Sequence, residues 1–129
     1  MPSAKDSGGA TALFIASQNG HLATVRFLLD HRAQVDLALH TNATPLYVSC
    51  QNGHLQVAEI LLAFGAVPNS QTDDEATPLF IAAQMGHFGI VKKLLEFNGD
   101  IKLANRTKAT PLFIAAQKPG FHSTFFDLL

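Results

Sequence analysis

A 33-residue internal repeat constrains the fold of this chain more than any other feature of its sequence. The string Thr-Ala-Leu-Phe-Ile-Ala begins at residue 11, and close variants of it begin at residues 44, 77 and 110. A Gly-His pair starts at residues 20, 53 and 86, and a Leu-Leu pair starts at residues 28, 61 and 94. Because three markers keep one period and one order, the chain is a tandem array of similar units.

Each unit predicts two short helices joined by a tight turn. The threonine of the first marker supplies an N-cap oxygen, and in three units a proline follows at the first helical position. The glycine of the second marker ends this helix, because glycine adopts the left-handed conformation without steric cost. A second helix is predicted over residues 22–30, 55–64 and 88–97, followed by a long connector. One such unit cannot bury its own apolar side, so the sequence predicts an all-α stack of mutually covered units.

Composition excludes several classes of protein. The 129 residues are 47% hydrophobic and 15% charged, which excludes a disordered charged tail. A net charge of −1 gives no overall attraction to nucleic acid or to an anionic membrane, so we expect neither as a partner. No apolar run approaches the roughly 20 residues of a membrane span, and the first residues lack the apolar core of a secretory signal. With Cys50 as the only cysteine, we expect an intracellular, cytoplasmic protein.

The order Thr-Pro-Leu, Gly-His and Leu-Leu at this period resembles the ankyrin repeat. The resemblance covers residues 8–129, with repeats near 8–40, 41–73, 74–106 and 107–129, after an N-terminal extension of residues 1–7. It implies an ankyrin-repeat solenoid of stacked helix-turn-helix units with hairpin-like connectors. It also implies a non-catalytic module that binds a partner protein or peptide through a concave face and the connector tips.

Two departures from the family pattern affect the predicted packing. An aromatic residue replaces the family's histidine in every repeat, and of a packing role and a binding role for this column we favour packing. The column comprises Phe14, Tyr47, Phe80 and Phe113. The family's turn glycine is replaced by Asn42, Glu75 and Lys108; asparagine tolerates the left-handed conformation, whereas Glu75 and Lys108 do not favour the family's turn type in their connectors.

The candidate partner-binding residues lie in three groups. A glutamine recurs seven residues after each threonine, and it serves either as a polar strip for a peptide or as an amide ladder within the stack. The next position varies between repeats, as do the connector tips, and such positions are the better candidates for specificity. The full set is Gln18, Asn19, His40, Thr41, Gln51, Asn52, Asp73, Asp74, Gln84, Met85, Arg106, Thr107, Gln117 and Lys118.

No motif for catalysis, nucleotide binding or metal binding occurs in the sequence, so we predict no catalytic site, cofactor or metal. The repeated histidines His21, His54 and His87 would lie about 10 Å apart in a stack, too far for one ion to bridge. Cys50 takes the place of an alanine in other repeats and is predicted to be buried. An alternative function is a targeting or regulatory segment of a larger enzyme or channel. A derivative of a designed repeat protein is a further alternative.

Two features outside the repeat pattern suggest additional roles. In some members of the ankyrin family, the asparagine at the position of Asn69 is hydroxylated by an intracellular oxygenase, so the resemblance makes Asn69 a candidate hydroxylation site. The sequence ends on an apolar segment that contains Phe121, Phe125 and Phe126. This segment indicates either an internal repeat of a longer array or a C-terminal face through which the chain self-associates.

Overall fold

The computed structural model describes residues 11–121, and this range contains helices and turns but no β-strand. The helices are α1 (Ala12–Gln18), α2 (Leu22–Asp30), α3 (Pro45–Gln51), α4 (Leu55–Ala63), α5 (Pro78–Met85), α6 (Phe88–Glu96) and α7 (Pro111–Ala116). We call α1, α3, α5 and α7 the first helices, and α2, α4 and α6 the second helices. The predicted all-α architecture is confirmed, although α4 and α6 each end one residue earlier than the sequence predicted.

The threonine caps form in all four repeats. Each threonine side chain accepts a hydrogen bond from the backbone N–H three residues later, at 3.0–3.1 Å. Proline occupies the first turn of α3, α5 and α7, where its missing N–H leaves no helical bond unmade. Threonine followed by proline therefore begins each of these three helices at the same repeat position, as the sequence predicted.

The core is a column of leucines that runs through the stack. Leu13, Leu46 and Leu79 on the first helices are almost fully buried, and Leu61 and Leu94 on the second helices have no exposed surface. Burying one leucine side chain contributes about 2 kcal/mol. The first helices contact one another more extensively than the second helices do, so the stack is held mainly through its first-helix layer.

The connectors between repeats form the same turn three times. In the first, the Leu39 N–H donates to the Ala43 carbonyl and the Asn42 N–H donates to the Leu39 carbonyl, both at 2.9 Å. Glu75 and Lys108 take the place of Asn42 and have φ values of 62° and 69°. The family's turn type therefore forms at both residues, although neither residue type favours it. Paired backbone hydrogen bonds hold the turn in the left-handed region, although this conformation costs a non-glycine residue about 1–2 kcal/mol.

The aromatic column packs in the first three repeats and not in the fourth. Phe14 and Phe80 are 4% and 5% exposed, and Tyr47 is half-buried. Phe113 is 57% exposed. The expected packing is therefore confirmed for Phe14 and Phe80 and wrong for Phe113.

The described part of repeat four ends on a buried aromatic side chain. Phe121 is 4% exposed and meets Phe88 edge to face, with ring centroids 6.3 Å apart. The predicted extension of residues 1–7 and the apolar residues after 121 lie outside the described range. The repeat boundaries stay a prediction. Within residues 11–121, no helix combines the length and apolarity that crossing a bilayer requires.

Candidate protein-binding surface

The glutamine column lies at the C-terminal ends of the first helices. Gln18, Gln84 and Gln117 are exposed, and Gln51 is half-buried. None of these four side chains makes a hydrogen bond to another residue of the described range, so no amide ladder joins them there. Their amides are therefore available to a ligand.

The neighbouring variable row divides into free and engaged side chains. Asn19 and Met85 are exposed, Lys118 is half-buried, and none of the three makes a side-chain hydrogen bond within residues 11–121. Asn52 is also exposed, but its amide donates to the Gln18 carbonyl at 2.9 Å. The structure thus assigns Asn52 a stacking role that the sequence did not indicate, and it leaves Met85 as a 52% exposed apolar side chain.

The histidines of the Gly-His pairs join adjacent repeats. Nε2 of His54 lies 3.0 Å from the Gln18 carbonyl, and Nε2 of His87 lies 3.2 Å from the Gln51 carbonyl. A carbonyl only accepts, so Nε2 carries the proton in both contacts. His21 has no equivalent contact in the described range and is exposed. Residues 11–121 contain no group of three or more metal-ligating side chains placed to hold an ion.

The connector tips hydrogen-bond to one another along the stack. The Asp73 N–H donates to the Thr41 carbonyl at 3.0 Å, and the Arg106 N–H donates to the Asp74 carbonyl at 2.9 Å. The Asn42 amide also donates to the Asp73 carboxylate at 2.8 Å. The tips of repeats two, three and four therefore form one continuous edge.

Charges on this edge are partly paired within the protein. The Arg106 guanidinium donates to the Asp73 carbonyl and lies 3.9 Å from the Asp74 carboxylate. Because both side chains of this ion pair are exposed, it stabilises the fold by at most about 1 kcal/mol. The Thr107 hydroxyl donates to the Asn105 side chain at 2.9 Å, whereas His40 makes no such contact in the described range. A partner can therefore compete for the two aspartates at little cost.

Tyr47 on α3 lies near the connector tips, although the sequence favoured a packing role for it over a binding role. Partial burial raises the pKa of its phenol, and the nearby Asp74 carboxylate raises it further. Asp74 thus acts on a residue of α3. The tips lie directly before the first helices and the glutamines lie at their ends, about 10 Å away along seven residues. We call the exposed tips and first-helix ends together the first-helix surface.

Asn69 contacts the next repeat through both atoms of its amide. Its nitrogen donates to the Asn98 carbonyl at 3.1 Å, and its oxygen accepts from the Asp100 N–H at 2.8 Å. Asp36, at the equivalent position, accepts from the Val67 N–H in the same way. Hydroxylation of Asn69 stays a prediction, and the enzyme would have to detach this connector from its neighbour.

Cys50 is fully buried on α3, as the sequence predicted. Burial raises the pKa of its thiol, since the charged thiolate is poorly solvated there. Because the thiolate is the nucleophile, this cysteine is unreactive in the folded chain.

Comparison with known sequence families agrees with this geometry. A family model described as ankyrin repeats in three copies matches residues 2–72, more than half of the chain. A second, described as ankyrin repeats in many copies, matches residues 50–95. The chain belongs to the ankyrin repeat family. Ankyrin repeats are generally protein–protein interaction modules and are typically non-catalytic. No curated protein matched the sequence.

Proposed function

We propose that this ankyrin repeat protein binds a partner protein or peptide through its first-helix surface. The observation that carries the proposal is the combination of a hydrogen-bonded edge of tips with a row of unused amides. Gln18, Gln84 and Gln117 are exposed and make no side-chain hydrogen bond within residues 11–121. Free amides can pair with the backbone of an extended peptide, because each offers both donors and an acceptor.

The variable side chains beside these amides supply specificity. Met85 offers a flexible apolar contact at the centre of the row, and such side chains adapt to different partner shapes. Asp73 and Asp74 lie at one tip, with Arg106 at the next, so the edge presents both signs of charge. Complementary charges orient a partner more than they add affinity. The partner chemistry that fits is a polypeptide of mixed charge.

A bait experiment with matched variants tests this proposal. The site variant combines Met85→Ala with Asp73→Lys and Asp74→Lys. The control variant carries Asp30→Lys and Glu96→Lys, which change the net charge by the same amount at the exposed ends of two second helices. A polypeptide that the parent chain captures should bind the control and lose affinity for the site variant. Purified components then give the dissociation constants.

The stability of the site variant must stay close to that of the parent. Its substitutions lie on exposed side chains, and losing the Asn42 hydrogen bond and the Arg106 ion pair should cost no more than about 1 kcal/mol each. The proposal fails if the site variant and the control bind the captured polypeptide equally well. It also fails if both variants lose binding, because the partner then depends on charge alone.

We also propose that repeat four self-associates through the exposed face of α7. Phe14 and Phe80 occupy the position of Phe113 in other repeats, and both rings are buried within the protein. This internal comparison supports a second apolar surface as the cover for Phe113. The alternative function within a larger enzyme or channel has no separate support among the described residues.

Sedimentation of two phenylalanine variants distinguishes association through this face from nonspecific hydrophobic association. Phe27 is 59% exposed on α2, close to the 57% of Phe113, and lies far from α7 along the stack. We expect the parent and Phe27→Gln to associate as concentration rises and Phe113→Gln to remain monomeric. A monomeric parent, or equal association of the two variants, would contradict self-association through α7.

A further inference from the structure

An open groove of about 560 Å³ lies on the second helices. All of its lining residues belong to α2, α4 and α6 or to the residues that cap α4 and α6. No lining residue belongs to a first helix or to a connector tip, so this second-helix groove is separate from the first-helix surface.

The groove follows the length of α4. It extends from Gln56, near the start of this helix, to Phe64, which caps its end, a rise of about 12 Å along eight residues. Leu22 on α2 and Phe97 after α6 contribute apolar walls on either side. The second helices contact one another less than the first helices do, and the groove lies in the resulting gap.

Aromatic side chains concentrate beside this gap in a repeating pattern. His31, Phe64 and Phe97 occupy the same position in three successive repeats. Phe64 and Phe97 are partly exposed, and Phe27 stacks on His31 with ring centroids 4.1 Å apart. Of these side chains Phe64 and Phe97 line the groove, and exposed apolar side chains that share one groove mark interaction sites more often than single exposed residues do.

One cation in the groove has no partner charge within the described residues. Lys93 lies 3.4 Å from the Glu59 carboxylate and 3.2 Å from the Glu96 carboxylate, so two acids compensate it. Arg26, on the α2 wall, makes no ion pair with another residue of the range 11–121. Arg26 is therefore the cation of the groove that is left without an ion pair, and the rest of the lining combines apolar side chains with Gln56 and the Lys93–Glu59 pair.

We propose that the second-helix groove binds an amphipathic α-helix of a partner protein, with a carboxylate beside its apolar face that pairs with Arg26. Apolar side chains at positions i, i+4 and i+7 of a helix span about 10.5 Å, which matches the length of the groove. The acidic residue follows from the free guanidinium, which forms charge-assisted hydrogen bonds with carboxylates. Because the two surfaces are separate, one chain can hold two partners at once.

Three designed peptides provide the probe. Each is an alanine-based helix of about 18 residues, long enough to be helical alone, with Phe, Leu and Leu at i, i+4 and i+7. They differ only at one position beside the apolar face, which is Glu, Gln or Lys. Fluorescence anisotropy with the full chain gives each dissociation constant. We expect the Glu peptide to bind about two- to fivefold more tightly than the Gln peptide, as one partly exposed ion pair allows.

Charge reversal tests the role of the cation. Arg26→Glu should reverse the order, so that the Lys peptide binds best. Lys92 provides the matched control, because it occupies the same repeat position on α6, is exposed and does not line the groove. Lys92→Glu should leave the order unchanged. An unchanged order in Arg26→Glu, or a reversed order in Lys92→Glu, would overturn the proposal.

Filling the groove tests the location. Ala63 is exposed at the end of α4 and lines the groove, so Ala63→Trp should block every peptide and leave the melting temperature unchanged. Undiminished binding to Ala63→Trp, or no peptide binding to the parent, would overturn the proposal. So would a parent dimer that Ala63→Trp dissociates, because a second copy would then occupy the groove. The substitutions of the first-helix surface should not affect peptide binding, so the two proposals fail independently.

Discussion

The junctions between the first three repeats differ from the junction with the fourth. A Cβ on Gly20 would lie 2.6 Å from the ring of His54, and a Cβ on Gly53 would lie 2.8 Å from the ring of His87. A Cβ on Gly86 would meet no atom of residues 11–121 within 4 Å. All three glycines have φ between 72° and 80°. At the inner junctions glycine is therefore required both by the left-handed φ and by the lack of space for a Cβ. At the last junction only the left-handed φ requires it among the described residues.

This difference shows that a repeated motif does not have one fixed role. At the inner junctions, glycine supplies the left-handed turn and also leaves room for the histidine that bonds to the preceding glutamine carbonyl. At the last junction, the sequence Lys118-Pro119-Gly120-Phe121 replaces the Gly-His pair. Identical sequence markers thus predict the turn, whereas the contact across a junction depends on the residues of the next repeat.

The aromatic column gives the largest expected contrast between these regions. Phe80→Ala should lower the free energy of unfolding by about 3–5 kcal/mol, the cost of removing a buried phenylalanine. Phe113→Ala should lower it by less than about 1 kcal/mol, since most of the ring is exposed. Urea denaturation at low protein concentration measures both. Similar losses would mean that Phe113 is covered in solution.

The second largest difference in stability is expected between valine variants of two of these glycines. Gly53→Val should lower the free energy of unfolding for two reasons. A left-handed non-glycine residue costs about 1–2 kcal/mol, and crowding against His87 costs about 1–3 kcal/mol more. Gly86→Val should cost only the first of these, so it serves as the control. Thermal unfolding of the two variants gives the difference. If both lose equal stability, the His87 ring moves aside freely.

Exchanging the residues at Asn52 and Met85 tests the hydrogen bond across each junction. Asn52→Met removes the bond to the Gln18 carbonyl and should cost about 1 kcal/mol. Met85→Asn places an amide at the equivalent position, where it can donate to the Gln51 carbonyl. We expect it to stabilise the chain by up to about 1 kcal/mol. Opposite shifts in urea midpoint are the expected result, and shifts of the same sign would contradict this account.

Replacing each of two buried serines with alanine should change the free energy of unfolding in opposite directions. The Ser17 hydroxyl is buried and has no hydrogen-bond partner within residues 11–121, whereas the Ser49 hydroxyl donates to the Leu46 carbonyl at 2.8 Å. Ser17→Ala should raise the free energy of unfolding by up to about 1 kcal/mol, because an unsatisfied buried hydroxyl is lost. Ser49→Ala should lower it by a similar amount. A loss in both variants, measured by chemical denaturation, would show that Ser17 finds a partner in solution.

Features that depend on one repeat were predictable from the sequence. The threonine caps, the left-handed glycines and the buried leucines follow from local residue preferences and from the apolar spacing of each helix. Arg32 and Asn98, each two residues after the end of a second helix, also adopt the left-handed conformation.

Features that depend on two repeats were not predictable. Glu75 adopts a conformation unfavourable for its residue type, because hydrogen bonds from neighbouring backbone hold the turn. Asn52 varies between repeats and was therefore a candidate for specificity, but it bonds to the repeat before it. The second-helix groove was also missed, although the recurrence of His31, Phe64 and Phe97 at the repeat period was visible in the sequence.

Alkylation of the buried Cys50 thiol can report when neighbouring repeats separate, so no other reporter group is needed. Burial raises the pKa of this thiol, so it stays neutral in the folded chain at mildly alkaline pH, at which a free cysteine, with a pKa of about 8.5, is largely ionised. Alkylation therefore requires α3 to move away from its neighbours. The alkylation rate, read by mass spectrometry, reports how often this happens, and a partner that clamps adjacent repeats together should slow it.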